Sequence, residues 1–237
     1  MPNLTQLRLA AREIFDETLR AVDAGAAVRR AVRLDGLQLS VCETTIDIRN
    51  RGIYSVAIGK AAFPMAQALE QELGDWFTAG LMSGPSLPGS RDMAASQLST
   101  RWRSQAGGHP LPNQTSLLAA TEAFELLQRA NEERALVIFL ISGGGSAMLE
   151  WPVNDEITLA DLRAANKALV NCGASISEIN AVRRAFSDIK GGRLAARAAD
   201  CDQPGQYATR VGRGERGRRR AVPGTRTRVA AAVGPER

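Results

Sequence analysis

Leu7, Ala10, Ala11, Ile14, Phe15, Leu19 and Val22, with Thr18 between them, recur every three or four positions, and this spacing predicts an amphipathic helix over residues 5–23. A second short helix is predicted around 26–34, after Gly25. The β-branched and aromatic run from Ile53 to Ile58 predicts a strand that ends at Gly59, and residues 61–73 return to helical spacing. Residues 78–82 read as another strand, while 83–95, rich in Gly, Pro and Ser, read mostly as loop. A helix over 115–131 leads to the strongest strand in the chain, Ala135 to Ile141, whose unbroken apolarity suits burial on both faces. Two later helices have readable starts, because Thr158 with Asp161 and Ser175 with Glu178 each place a capping hydroxyl three residues before an acid. Strands alternating with helices predict an α/β fold, a mostly parallel sheet with helices on both faces in a Rossmann-like three-layer sandwich.

Composition narrows the class without changing that picture. A chain of 237 residues with 44% apolar and 23% charged positions is an ordinary globular protein, which excludes disorder throughout, a collagen-like repeat and a miniprotein. The run from Ala135 to Ile141 is far shorter than the roughly 18 residues of a membrane span. Met1-Pro2-Asn3 opens no signal peptide, so the expected location is cytoplasmic, with no membrane partner. Cys42, Cys172 and Cys201 are odd in number and widely spaced, and read as reduced structural thiols. His109 is the sole histidine, so centres needing two or three imidazoles are excluded within one chain and no metal ligand is assigned.

The formal net charge of +5 is unevenly placed. Residues 201–237 carry nine Arg against three acids, or +6, which leaves −1 for everything before them. That tail holds no Leu, Ile, Phe, Met or Trp and lacks the means to bury a core, so the expected organisation is an α/β domain over 1–200 and an Arg/Gly-rich tail over 201–237. The tail reads three ways: the out-of-frame translation of a GC-rich gene, inert disorder, or a basic arm for nucleic acid. The arm lacks aromatic interleaving, since Tyr207 stands alone.

In a parallel α/β sheet, ligands gather beyond the carboxyl ends of strands. Two loops qualify. In Ser142-Gly143-Gly144-Gly145-Ser146 three glycines let backbone N–H groups approach an anion and two hydroxyls add donors, which suits phosphate; a tight connection without a ligand is the alternative. Neither a Walker loop nor a dinucleotide fingerprint is present, because no Gly-Lys-Ser/Thr follows and Met148 occupies the third small position. In Gly59-Lys60-Ala61-Ala62 a lysine follows a strand in a chain with 27 Arg and three Lys, where it either neutralises phosphate or is merely solvated. Arg183, Arg184, Lys190 and Arg193 surround Gly191-Gly192 and either bind an anionic substrate or solvate helix ends. His109, between Gly108 and Pro110, either touches substrate or braces its loop.

Gly59-Lys60-Ala61-Ala62, Gly108-His109-Pro110-Leu111-Pro112, Ser142 to Ala147, and Asn180 to Arg184 leading to Ile189-Lys190-Gly191-Gly192-Arg193-Leu194-Ala195 stand in the order in which they occur in the glycerate 2-kinase family. Over about residues 5–199 the chain resembles this family, which carries a MOFRL-type C-terminal domain and is often labelled hydroxypyruvate reductase. The resemblance implies ATP- and Mg²⁺-dependent phosphorylation of D-glycerate to 2-phosphoglycerate in a cleft between two domains. It further implies a catalytic role for Lys60, nucleotide or phosphate binding by Ser142, Gly143, Gly144, Gly145 and Ser146, and substrate binding by His109, Arg183 and Lys190. Asn113 stands where members usually have Asp, Ala185 replaces a common histidine, and residues 83–103 match poorly. Past Asp200 the pattern, including its Asp-rich segment, is not followed. The expectation is therefore a truncated kinase without turnover, with some apolar surface exposed; an NAD(P)H-dependent reductase and a basic-tailed nucleic-acid-binding protein are the alternatives.

Overall fold

The computed structural model describes residues 3–85, 98–198 and 229–233. Helix α1 (Leu4–Ala21) and helix α2 (Ala24–Ala31) open the chain. A three-stranded antiparallel meander follows, made of β1 (Val32–Asp35), β2 (Gln38–Val41) and β3 (Thr44–Asp47). The main sheet then begins with β4 (Ile53–Ile58), and α3 (Ala62–Leu73) leads to β5 (Phe77–Gly84). Beyond lie β6 (Trp102–Ala106), α4 (Gln114–Glu132), β7 (Leu136–Ile141), the single turn α5 (Gly145–Met148), α6 (Leu159–Asn171), α7 (Ile176–Ala185), α8 (Arg193–Arg197) and β8 (Val229–Val233).

The sheet runs β6-β5-β4-β7-β8 and every neighbouring pair is parallel. Its central strands alternate their side chains between two cores, as a strand covered on both sides must. Leu136, Ile138 and Leu140 of β7 join Ile53 and Ala57 against Met65, Leu69 and Leu73 of α3. On the opposite face Val137 and Phe139 join Tyr54, Val56 and Ile58 against Ala119, Ala123 and Leu127 of α4. The predicted α/β sandwich is thus the observed one. Strand order grows outward from β4 through β5 to β6, then returns to the other side of β4 to place β7. The crevice between the ends of β4 and β7 is therefore a topological switch point, where such sheets leave room for ligands.

Three stretches depart from the sequence reading. The second helix stops at Ala31 because Val32 turns extended, and residues 32–35 pair with β2 instead of continuing the helix. Leu39, Val41 and Ile46 of this meander are buried beside α3. Strand β6 carries only one buried apolar side chain, Trp102, stacked on Phe77 at 4.8 Å, so it lacks the alternation that betrays a strand. Within the tail expected to lack a core, Val229–Val233 pairs with β7; the rest of 199–237, Cys201 included, and most of the 83–95 loop lie outside the described residues. Cys42 and Cys172 are free thiols.

Both capping predictions hold: Thr158 accepts from the Asp161 amide and Ser175 from the Glu178 amide, and in each case the cap residue's own amide donates back to the acid's carboxylate. No helix among the described residues is long and apolar enough to cross a membrane. Helix α1 buries none of its residues, and Leu7, Ile14, Phe15 and Leu19 lie exposed.

Candidate functional site

Because β4 and β7 pair in register up to Ile58 and Ile141, the loops that leave them are neighbours. Backbone hydrogen bonds stitch the two loops together. The Ser142 amide donates to the Ile58 carbonyl at 2.9 Å, the Lys60 amide to the Gly143 carbonyl at 2.8 Å, and the Ala61 amide to Ser142 Oγ at 3.0 Å. Gly59 permits this approach: its φ is +113°, and a Cβ there would lie 2.5 Å from the Ser142 carbonyl oxygen. Lys60 is exposed at the crevice, just ahead of α3, whose first turn has no side-chain cap. The amides of Gly143 and Gly144 donate to no backbone carbonyl among the described residues, and Gly143 is exposed. Uncommitted N–H groups beside an ammonium suit an anion.

His109 comes from a different loop, between β6 and α4, and reaches the same place. A Cβ on Gly144, where φ is +87°, would lie 2.9 Å from His109 Cδ2 and 3.3 Å from Lys60 Cγ. Three segments distant in sequence therefore converge on one glycine. The His109 loop is fixed by the buried Ser116, whose Oγ accepts from the amides of Gly108 at 3.0 Å and Asn113 at 3.1 Å. Asn113 caps α4 by accepting from the Ser116 amide at 2.8 Å and also donates from Nδ2 to the Ala106 carbonyl at 3.1 Å. Arg163 of α6 donates to the Pro112 carbonyl at 2.8 Å. Partial burial, aided by the Lys60 charge, pulls the His109 imidazole below its ordinary value of 6.5, so at neutral pH it is an uncharged donor and acceptor.

Beside the glycine loop opens a cavity of about 400 Å³. Gly145 and Ser146 form one wall, Ile58, Phe139 and Leu149 its apolar floor, and Asn180, Arg183, Arg184 and Lys190 its polar side. The structure thus joins Ser146 to the cationic cluster, whereas Lys60, His109, Gly143 and Gly144 stand at the neighbouring crevice and do not line the cavity. Arg183 Nε is buried and has no hydrogen-bond partner among the described residues. Lys190 is committed: its ammonium pairs with Glu150, whose other oxygen accepts from Ser187 Oγ at 2.5 Å. Burial pulls the Lys190 value down, against the pull of Glu150. The remaining cation, Arg193, is tied to the Arg184 carbonyl at 2.7 Å.

Glu150 is the residue that sequence reasoning missed. Its signal was present, since an acid within Met148-Leu149-Glu150-Trp151 interrupts an apolar run. Ser116 and Arg163 gave no comparable signal. Among the described residues no group of three or more His, Cys, Asp or Glu is placed to hold a metal ion.

The chain is similar to the glycerate 2-kinase of Pyrococcus horikoshii, with 36% identity over 182 residues that cover 77% of this chain and 39% of that protein. It is 34% identical over 197 residues to the glycerate kinase of Rattus norvegicus, covering 79% and 37% respectively. The crystal structure of a glycerate kinase from Thermotoga maritima superposes with a TM-score of 0.63 at 31% identity, over 81% of this chain and 41% of that one. The chain spans about two fifths of the length of these relatives. The family resemblance read from four ordered motifs and the similarity over the same stretch agree: residues 10–204 match the model described as a domain of unknown function, DUF4147, and the chain belongs to that family.

Proposed function

We propose that this chain forms the part of a glycerate 2-kinase that carries the anion loop and part of the substrate cavity, in an enzyme that phosphorylates D-glycerate to 2-phosphoglycerate with ATP and Mg²⁺. The observation that carries the reading is the convergence of Lys60, His109 and Gly144 at the β4/β7 switch point, next to a cavity with Arg183 and Lys190 on its wall. The names of the relatives point the same way.

ATP supplies the transferable phosphoryl group, and the residues present fit a phosphate: the Gly143 and Gly144 amides are uncommitted and Ser142 and Ser146 flank them. Lys60 places a compact positive charge at that point, as phosphoryl transfer requires. His109, neutral, orients a substrate hydroxyl or phosphate oxygen by hydrogen bonding. Arg183 and Lys190 meet the carboxylate of D-glycerate. No described carboxylate lines the cavity, so no Mg²⁺ ligand is assigned to this chain. A nicotinamide reductase fits less well, because neither strand-end loop has the dinucleotide fingerprint.

Titration calorimetry of the purified chain with ATP and with D-glycerate, followed by assays for 2-phosphoglycerate and for NADH oxidation with hydroxypyruvate, tests the reading. ATP binding that Lys60→Met weakens at least tenfold is the expected result. NADH oxidation without any affinity for ATP would overturn it.

A further inference from the structure

The cavity wall is held together by a buried cluster whose acidic member has no role in the reading above. Glu150 follows α5, and its side chain is only 3% exposed. One carboxylate oxygen pairs with the Lys190 ammonium, itself 11% exposed, while the other accepts from Ser187 Oγ. Around it the backbone forms a short ladder: the Asp188 amide donates to the Trp151 carbonyl at 2.9 Å and the Val153 amide to the Phe186 carbonyl at 3.0 Å. The segment leaving the glycine loop is thereby docked on the turn that joins α7 to α8, which carries Lys190. A buried carboxylate costs desolvation that the fold recovers only through well-placed partners. Here the partner is a cation on the wall of an open cavity.

We propose that Glu150 is a positioning residue for anion binding in this cavity, holding the Lys190 ammonium charged and directed so that the carboxylate of a bound substrate meets both Lys190 and Arg183. The identity of that substrate as D-glycerate rests on the glycerate kinase reading; the role of Glu150 does not. The groups that face Lys190 are few. Glu150 and Ser187 hold it, while Arg183 from α7 repels it. Arg184 lines the same cavity, Arg193 of α8 is tied to the Arg184 and Ser187 carbonyls, and Asp188 is paired with Arg197. Among the described residues Glu150 is thus the one carboxylate that opposes burial and Arg183 in keeping the proton on Lys190. Without its charge, burial and Arg183 act unopposed, and the ammonium of the empty cavity gives up its proton to solvent more readily than in the unsubstituted chain. An entering anion then restores it by drawing one proton from the buffer.

The test uses the full chain and Glu150→Gln, with D-glycerate and inorganic phosphate as probes, in calorimetry run in two buffers of different ionisation enthalpy. With only three lysines in the sequence, the Lys190 side-chain NMR signal is resolvable and reports its protonation directly. In the unsubstituted chain the affinity for D-glycerate, whose own carboxylate is ionised there, is flat around neutral pH and binding takes up no proton, as linkage requires when neither partner changes protonation. In Glu150→Gln the affinity falls at least tenfold over the same range, binding takes up close to one proton, and the Lys190 signal titrates. A merely structural role would weaken binding equally at every pH with no proton uptake, and that result overturns the proposal. Should Glu150→Gln fail to fold, Glu150→Asp keeps the charge and shortens the reach by one methylene; a folded variant with flat pH dependence and several-fold weaker binding supports positioning, and unaltered affinity overturns it. Phosphate binding that weakens at least tenfold in Glu150→Gln and takes up close to one proton more than in the unsubstituted chain at the same pH, without D-glycerate binding, removes the glycerate reading and leaves the role of Glu150 standing. No binding of either anion to the unsubstituted chain overturns the proposal outright.

Discussion

The amide of Lys60 donates to the carbonyl of Gly143 at 2.8 Å, so the lysine loop after β4 and the glycine loop after β7 are one structure. Gly144 lies one residue beyond that bond, in the left-handed region, with His109 and Lys60 pressed against the position a Cβ would take. Gly144→Ala is expected to destabilise the fold by about 1–2 kcal/mol through backbone strain and the displaced imidazole. The neighbouring Gly143→Ala, where a Cβ meets nothing within 4 Å and φ is not positive, is expected to stay within about 0.5 kcal/mol of the parent. Urea unfolding of both variants checks this, and equal losses would show that the convergence on Gly144 is not selective.

Asn113 does two jobs that only an amide combines, accepting at the α4 cap and donating to the Ala106 carbonyl. Asn113→Asp keeps the first and sets a carboxylate oxygen against that carbonyl, partly offset by the helix dipole; a loss of about 1 kcal/mol is expected. Asn113→Ala forfeits both bonds, with an expected loss of about 2 kcal/mol. Thermal melts rank the pair, and an Asp variant as stable as the parent would show that the Ala106 bond contributes nothing. This position, where the resemblance leads one to expect Asp, is accounted for by local bonding.

How much of this was legible in the sequence follows from how locally each feature is determined. The β7 run, the Thr158 and Ser175 caps and the glycine loop are set by neighbours within a few residues, and each was readable. The meander was not, because its stabilisation comes from burying Leu39, Val41 and Ile46 in the core cluster it shares with α3, packing that spacing in residues 26–47 does not encode. The Asp35-Gly36 pair at its first turn was the available hint. For the site, Lys60 and the loop from Ser142 to Ser146 could be named as candidates, yet not the fact that His109 arrives beside them from between β6 and α4. Glu150 escaped for the same reason, since its partner stands 40 residues away.

Tyr54 is buried at the far end of β4 from the site, with its hydroxyl donating to Glu133 at 2.7 Å. Burial first, then the hydrogen bond and charge of Glu133, push its phenol up to about 12. The folded value exceeds the unfolded value near 10, so this group's contribution to stability is complete below about pH 10 and is lost as pH rises through about 12. Tyrosinate absorbance in a Tyr207→Phe background should show no ionisation of Tyr54 until that range, and Glu133→Gln should bring it down. Titration at the ordinary value in the folded chain would contradict the buried hydroxyl.

His109 offers the sharpest probe of the site, because it is the only histidine and yields a single imidazole resonance. Burial lowers its value below 6.5, and the Lys60 charge lowers it further. The sign follows from linkage: the fold prefers the neutral ring, so the associated stability is complete above the unfolded value and is lost as pH falls through the folded one. An NMR titration of the folded chain should therefore give a midpoint below 6.5. Lys60→Met should raise that midpoint without restoring the ordinary value, since burial persists. Inorganic phosphate bound at the glycine loop should raise it as well, because a nearby anion favours the charged ring. A midpoint unmoved by both Lys60→Met and phosphate would separate His109 from Lys60 electrically and remove the basis for placing them in one site.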